Sequence, residues 1–135
     1  MISLCPACWR TVGPQDRRCP SCGADLRALD DRLFTEKLVR ALDHPDRHTV
    51  MRAARILGER REPDTAVALG RALRQYWDEP YVAAAVVRAL EHFDTAEARE
   101  LLSDALGHPS IIVRTAAALA LQESHAAQTS RRPRP

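Results

Sequence analysis

From Leu26 onward apolar residues recur at helical spacing, and Pro interrupts the pattern at intervals. Three interruptions look alike: His44-Pro45, Glu79-Pro80 and His108-Pro109. Each precedes an Ala-rich amphipathic stretch, over 50–58, 82–90 and 113–121, and each follows another helical pattern ending in Ala41-Leu42, Ala72-Leu73 or Ala105-Leu106. A helical hairpin is thus used three times. The pattern predicts six helices, over 30–42, 46–59, 63–75, 80–91, 95–106 and 109–123, and an all-α fold class.

Local signals agree with this division. Pro at a first helical position replaces an N–H that would lack a partner, so Pro45, Pro63, Pro80 and Pro109 read as helix starts. Asp94-Thr95-Ala96-Glu97 has the arrangement of a capping box with Asp94 as the cap, and Gly58 and Gly107 fall where helices would end. One hairpin cannot bury its apolar face alone, whereas three stacked hairpins share a continuous core. Paired Ala at 53/54, 84/85 and 116/117 would let the second helices approach closely.

The first 22 residues carry all four cysteines, as Cys5-Pro6-Ala7-Cys8 and Cys19-Pro20-Ser21-Cys22-Gly23. In a reducing compartment two Cys-x-x-Cys turns supply the four thiolates of one tetrahedral zinc ion. Four thiolates leave no coordination position for substrate, so a single structural Zn2+ held by Cys5, Cys8, Cys19 and Cys22 is expected. So small a segment cannot fold on apolar burial, and metal binding would supply much of its folding free energy. Residues 3–26 resemble a zinc ribbon in their Cys-Pro-x-Cys-Gly form, although Trp9 stands where the first turn would usually carry Gly. Rubredoxin-like iron sites separate their cysteine pairs by a longer stretch.

Composition narrows the classes that remain. Ala accounts for 22 residues while aromatics are only 4%, which suits closely packed helices better than a β-sandwich. No leader-like or membrane-spanning apolar run occurs, giving the expectation of a soluble cytoplasmic chain. The net charge is +2, but it is unevenly spread: residues 28–130 hold 13 basic against 16 acidic residues, and the excess lies at the two ends. A net-acidic helical body argues against wrapping nucleic acid. The expected organisation is a ribbon over 1–27, a repeat domain over 28–124 and a disordered basic tail over 125–135, with the ribbon, Leu26 and Leu29 covering the first hairpin. On that basis chelating zinc is expected to lower the melting temperature of the helical domain.

The Pro, Val50 or Val113-Arg114, paired Ala and Leu of these units resemble HEAT repeats in their short bacterial form. The resemblance implies a three-unit α-solenoid whose second helices offer a surface to protein partners. Candidate partner residues are Arg52 and Arg55 on one second helix, and Tyr76, Trp77 and Tyr81 at the middle turn, since aromatic and Arg side chains dominate binding hot spots. His44 and His108 are expected to cap the preceding helices, with His44 and His48 the weaker alternative of a second metal site. Nucleic-acid binding through Arg10, Arg17, Arg18 and the tail is the alternative function. Short HEAT repeats also occur in phycobilin lyases, yet no residue set here would carry such chemistry. The reading is therefore a non-enzymatic adaptor with no small-molecule substrate and no membrane partner.

Overall fold

The computed structural model describes residues 3–130, with side chains described for 4–125. The chain comprises β1 (Ser3–Leu4), β2 (Thr11–Val12), α1 (Leu26–Ala41), α2 (Arg47–Arg60), α3 (Thr65–Gln75), α4 (Pro80–Leu90), α5 (Ala96–Ala105) and α6 (Ile111–Ser130). It forms two compact units, residues 1–37 and 38–135, which meet inside α1. The division expected at residue 27 lies elsewhere because α1 starts at Leu26, where Asp25 Oδ1 accepts from the N–H groups of Arg27 and Ala28, and runs on without a break.

The first unit is built on a two-stranded antiparallel hairpin pairing Ser3 with Val12 and Leu4 with Thr11. Its small core is Cys5, Val12, Cys19 and Leu26. Leu26 is thus occupied within this unit.

The second unit is an all-α, HEAT-like stack. Helices α3 and α4 form one hairpin and α5 and α6 another, while α2, α4 and α6 lie side by side as the second-helix layer. Helix α1 enters this core only through Leu38 and Leu42, just past its end, with Val39 and Ala41 at the margin. Buried residues repeat in register: Val50, Ala53, Ala54 and Leu57 on α2 match Ala83, Val86, Val87 and Leu90 on α4, and Val113, Ala116, Ala117 and Ala120 on α6. The middle counterpart of the paired alanines is therefore Val86-Val87, while Ala85 turns outward.

Pro80 causes that shift. It occupies the first turn of α4 itself, whereas Pro45 and Pro109 stand two residues ahead of α2 and α6, and Pro63 lies in the turn before α3. Side chains cap two of the helices: Asp46 accepts from Thr49 N–H at the start of α2, and at the start of α5 Thr95, rather than Asp94, accepts from Ala98 N–H. Asp94 instead pairs with Arg99. Gly58 does not end a helix. It lies inside α2, where an added Cβ would stand 2.8 Å from Ala89 Cα on α4, so it permits a close approach of the two backbones. Helix α6 continues to Ser130, past the expected start of the tail at 125, and residues 131–135 lie outside the described region.

Candidate metal centre and second-helix groove

Both Cys-x-x-Cys turns have the same backbone construction. Cys5 C=O accepts from Trp9 N–H at 2.8 Å and Cys5 N–H donates to Arg10 C=O at 2.8 Å. Likewise Cys19 C=O accepts from Gly23 N–H at 2.9 Å, and Cys19 N–H donates to Ala24 C=O at 3.0 Å. The closing residue is left-handed in each, with φ of 63° at Trp9 and 75° at Gly23. Trp9 therefore does the conformational task that Gly performs in the second turn, and its ring is 74% exposed.

The turns bring the Sγ atoms of Cys5, Cys8, Cys19 and Cys22 within 4.8 Å of one another. The Cys5–Cys22 and Cys8–Cys19 separations are 3.8 and 3.6 Å, and all four are free thiols. A tetrahedral zinc with Zn–S of about 2.3 Å places its sulfurs about 3.8 Å apart, so the donor set and its spacing fit that ion. Backbone N–H groups favour a thiolate at Cys19: chiefly that of Cys22, then Ser21, they hold its pKa at about 6 against loss of solvent. At Cys22 the Ala24 N–H acts in the same direction, but lost solvation and the neighbouring sulfurs push the thiol up to about 11. A cluster of four sulfurs resists carrying four negative charges until a cation shares them. Among the described residues no other group of three or more ligating side chains is gathered, and His44 and His48 have no third ligand beside them.

The histidines before proline act forwards, towards the next helix. His44 Nδ1 accepts from Asp46 N–H at 3.0 Å and His108 Nδ1 accepts from Ser110 N–H at 2.9 Å. With Nδ1 an acceptor, Nε2 of His108 carries the proton and donates to Trp77 C=O at 2.6 Å, binding the third hairpin to the second. The rings of His108 and Trp77 stack at 4.5 Å with a 56° tilt. One turn earlier, Tyr76 O–H donates to Leu42 C=O at 2.5 Å. Arg47 covers the Tyr76 ring at 4.9 Å while pairing with Glu79 at 2.7 Å.

These contacts correct the expectation for Tyr76. It is only 2% exposed, so no partner can reach it, and its polar tip is committed to the repeat junction. Trp77 is half-buried against His108 and lines a separate hollow with Leu73, Arg74, Leu101 and Asp104. By contrast Arg52 and Arg55 do share a site: they flank an open groove of about 450 Å³ between α2 and α4. Exposed Tyr81 borders its continuation at the start of the same helices, where His48 and Met51 are common to both hollows. The sequence reading missed Arg88, which faces Arg55 across the groove region. A spacing signal existed: 81, 85, 88 and 92 repeat the intervals of 48, 52, 55 and 59. Arg10, Arg17 and Arg18 are exposed on the first unit.

Residues 73–131 match the family model for HEAT repeats. The match runs from the end of α3 through α4, α5 and α6, and so covers the last hairpin and the second helix before it. No curated protein and no solved structure matches the chain. Among the described residues no helix is long and apolar enough to cross a membrane.

Proposed function

We propose that this protein is a cytoplasmic, non-enzymatic adaptor, in which a zinc ribbon accompanies a helical stack that presents its second-helix face to a protein partner. The observation that carries the reading is the groove between α2 and α4, formed by two stripes of exposed side chains at identical helical intervals. Stacked hairpins expose such a face by construction, because each second helix buries one side against its neighbours and leaves the other open. Zinc fits the thiol cluster as a folding element: four sulfur ligands fill a tetrahedral ion, and free thiols suit a reducing compartment.

Two measurements test the reading. Elemental analysis of the purified chain should give one zinc per molecule, and Cys8→Ser or Cys22→Ser should release it. A photo-crosslinking amino acid at position 55, in the groove, should capture a discrete partner in cells, while the same group at position 71 on α3 should not. Equal labelling from both positions, or from neither, rejects the adaptor.

A further inference from the structure

The groove between α2 and α4 has a charge arrangement that the adaptor reading does not require. Its floor is apolar, from Met51, Ala85 and Ala89, and its walls carry Arg52, Arg55 and Arg88. Glu59 is the one acidic residue among those lining it. All three arginines are exposed, and among the described residues none makes a hydrogen bond or ion pair. Other arginines of the unit are engaged, Arg47 with Glu79, Arg60 with Glu62, Arg71 with Asp43 and Arg99 with Asp94, and among the described residues those that are not, Arg40, Arg61 and Arg74, do not line this groove. A body that carries more acidic than basic residues thus places three guanidinium groups against one carboxylate along one groove.

The neighbouring hollow differs in kind. It shares His48 and Met51 with the first and adds Pro80, Tyr81 and Val82, with Tyr81 70% exposed. Of its two acidic residues, Glu79 is paired with Arg47 at 2.7 Å, and Asp78 stands at its edge. An elongated site therefore has a cationic stretch at one end and, at the other, a seat of Met51, Pro80, Tyr81 and Val82 with Asp78 at its border. On α6 the equivalent positions are Ile111, Thr115, Ala118 and Gln122, so the cationic character stops at α4.

We infer that this groove binds an extended acidic peptide segment, whose carboxylates meet Arg52, Arg55 and Arg88 and whose large apolar side chain sits beside Tyr81 and Met51. The assignment rests on the adaptor reading and specifies its partner. Guanidinium groups recognise carboxylates through paired N–H donors. The apolar floor of Met51, Ala85 and Ala89 favours a peptide over a nucleic acid, since the cationic stretch has no Phe, Tyr or Trp for a base to stack on and only the imidazoles of His48 and His92 at its ends. Such a site gains rate and selectivity from long-range attraction and weakens with salt.

Selection from a phage-displayed library of random dodecapeptides against the zinc-loaded full chain tests this. Enriched sequences should be rich in Asp and Glu with one large apolar residue. Their affinity should fall at least tenfold in the Arg55→Glu/Arg88→Glu variant and with added salt, and remain unchanged in Arg71→Glu, whose site is on α3. Peptides with Lys in place of the acidic residues should bind the doubly reversed variant better than the wild type. Thermal melts by circular dichroism confirm that the variants fold, and their substitutions lie at exposed positions. Absence of enrichment, enrichment of neutral or basic sequences, or acidic peptides insensitive to the groove variants overturns the inference. Labelled 15-mer single-stranded DNA or RNA that binds through Arg55 and Arg88 more tightly than any peptide also overturns it. The adaptor reading fails separately, in the crosslinking experiment, and survives if position 55 captures a partner whose contact segment is not acidic.

Discussion

At the scale of single residues, two positions hold more of the fold than their chemistry first suggests. Trp9 closes the first cysteine turn at φ 63°, a left-handed conformation that costs a non-glycine residue about 1–2 kcal/mol. Trp9→Gly removes that cost, while the looser unfolded chain returns about 0.5–1 kcal/mol of it. Because folding and metal binding are coupled here, the variant should retain zinc about threefold more tightly in a chelator competition. Weaker retention would show that the exposed ring contributes more than its backbone costs. Tyr76 is the second case. Its hydroxyl is the partner recorded for Leu42 C=O from the next hairpin, at 2.5 Å, so Tyr76→Phe leaves a buried acceptor short of a donor. The expected loss is about 1–3 kcal/mol in urea unfolding, with crosslinking from position 55 unaltered. A neutral substitution would mean that water reaches that carbonyl. The sequence offered Tyr76 as an exposed anchor because aromatic type and turn position say nothing about which way the ring points.

Elements were more legible than their junctions. All six helices were predictable from apolar spacing, and the four thiols from two turns that each fix their own sulfurs locally. What the sequence did not reveal was the register in which the second helices meet, since Pro80 moves the middle repeat by displacing where α4 begins. The same ambiguity hid Arg88 and made Gly58 look like a helix end. Two predictions belong to these junctions. Gly58→Ala gains about 1 kcal/mol of helix propensity but drives a methyl to 2.8 Å from the backbone of Ala89, which cannot swing aside. Overpacking of about 1–3 kcal/mol should prevail, lowering the urea midpoint. At Gly70 the added carbon meets the mobile Cδ1 of Leu101 at 2.9 Å, so Gly70→Ala should hold or raise it. If both variants respond alike, close helix approach is not what selects glycine at 58. Between α4 and α6, burial and then the Glu123 carboxylate raise Glu91 to about pKa 7. A raised carboxyl binds its proton more tightly when folded, so this contribution is complete below the ordinary carboxylate range and is lost as pH climbs through about 7. Stability should therefore decline from pH 5 to pH 8, and Glu91→Gln should flatten that decline in calorimetric melts. An equally steep decline in the variant places the titration elsewhere.

On the scale of the whole chain, the distribution of packing sets which part opens last. Stacked repeats are stabilised by nearest-neighbour interfaces, so stability follows the number of interfaces each helix joins more than its own composition. Helix α4 packs on α2 and α6 within the second-helix layer and on α3 and α5 beside it. It is also the most uniformly buried helix, with Val82, Ala83, Ala84, Val86, Val87, Ala89 and Leu90 all withdrawn from water. Helices at the margin have fewer such interfaces, and α6 leaves Ile111 and Leu119 exposed on its outer side. Amide groups are protected in proportion to the free energy of the opening that frees them. In native-state hydrogen exchange at pH 7 the amides of α4 should therefore exchange slowest of the second unit, with α2 and the buried turns of α6 next. Slower exchange in α3 or α5 than in α4 would mean that stability follows the hairpins individually, and the shared second-helix layer would lose its place as the organising core.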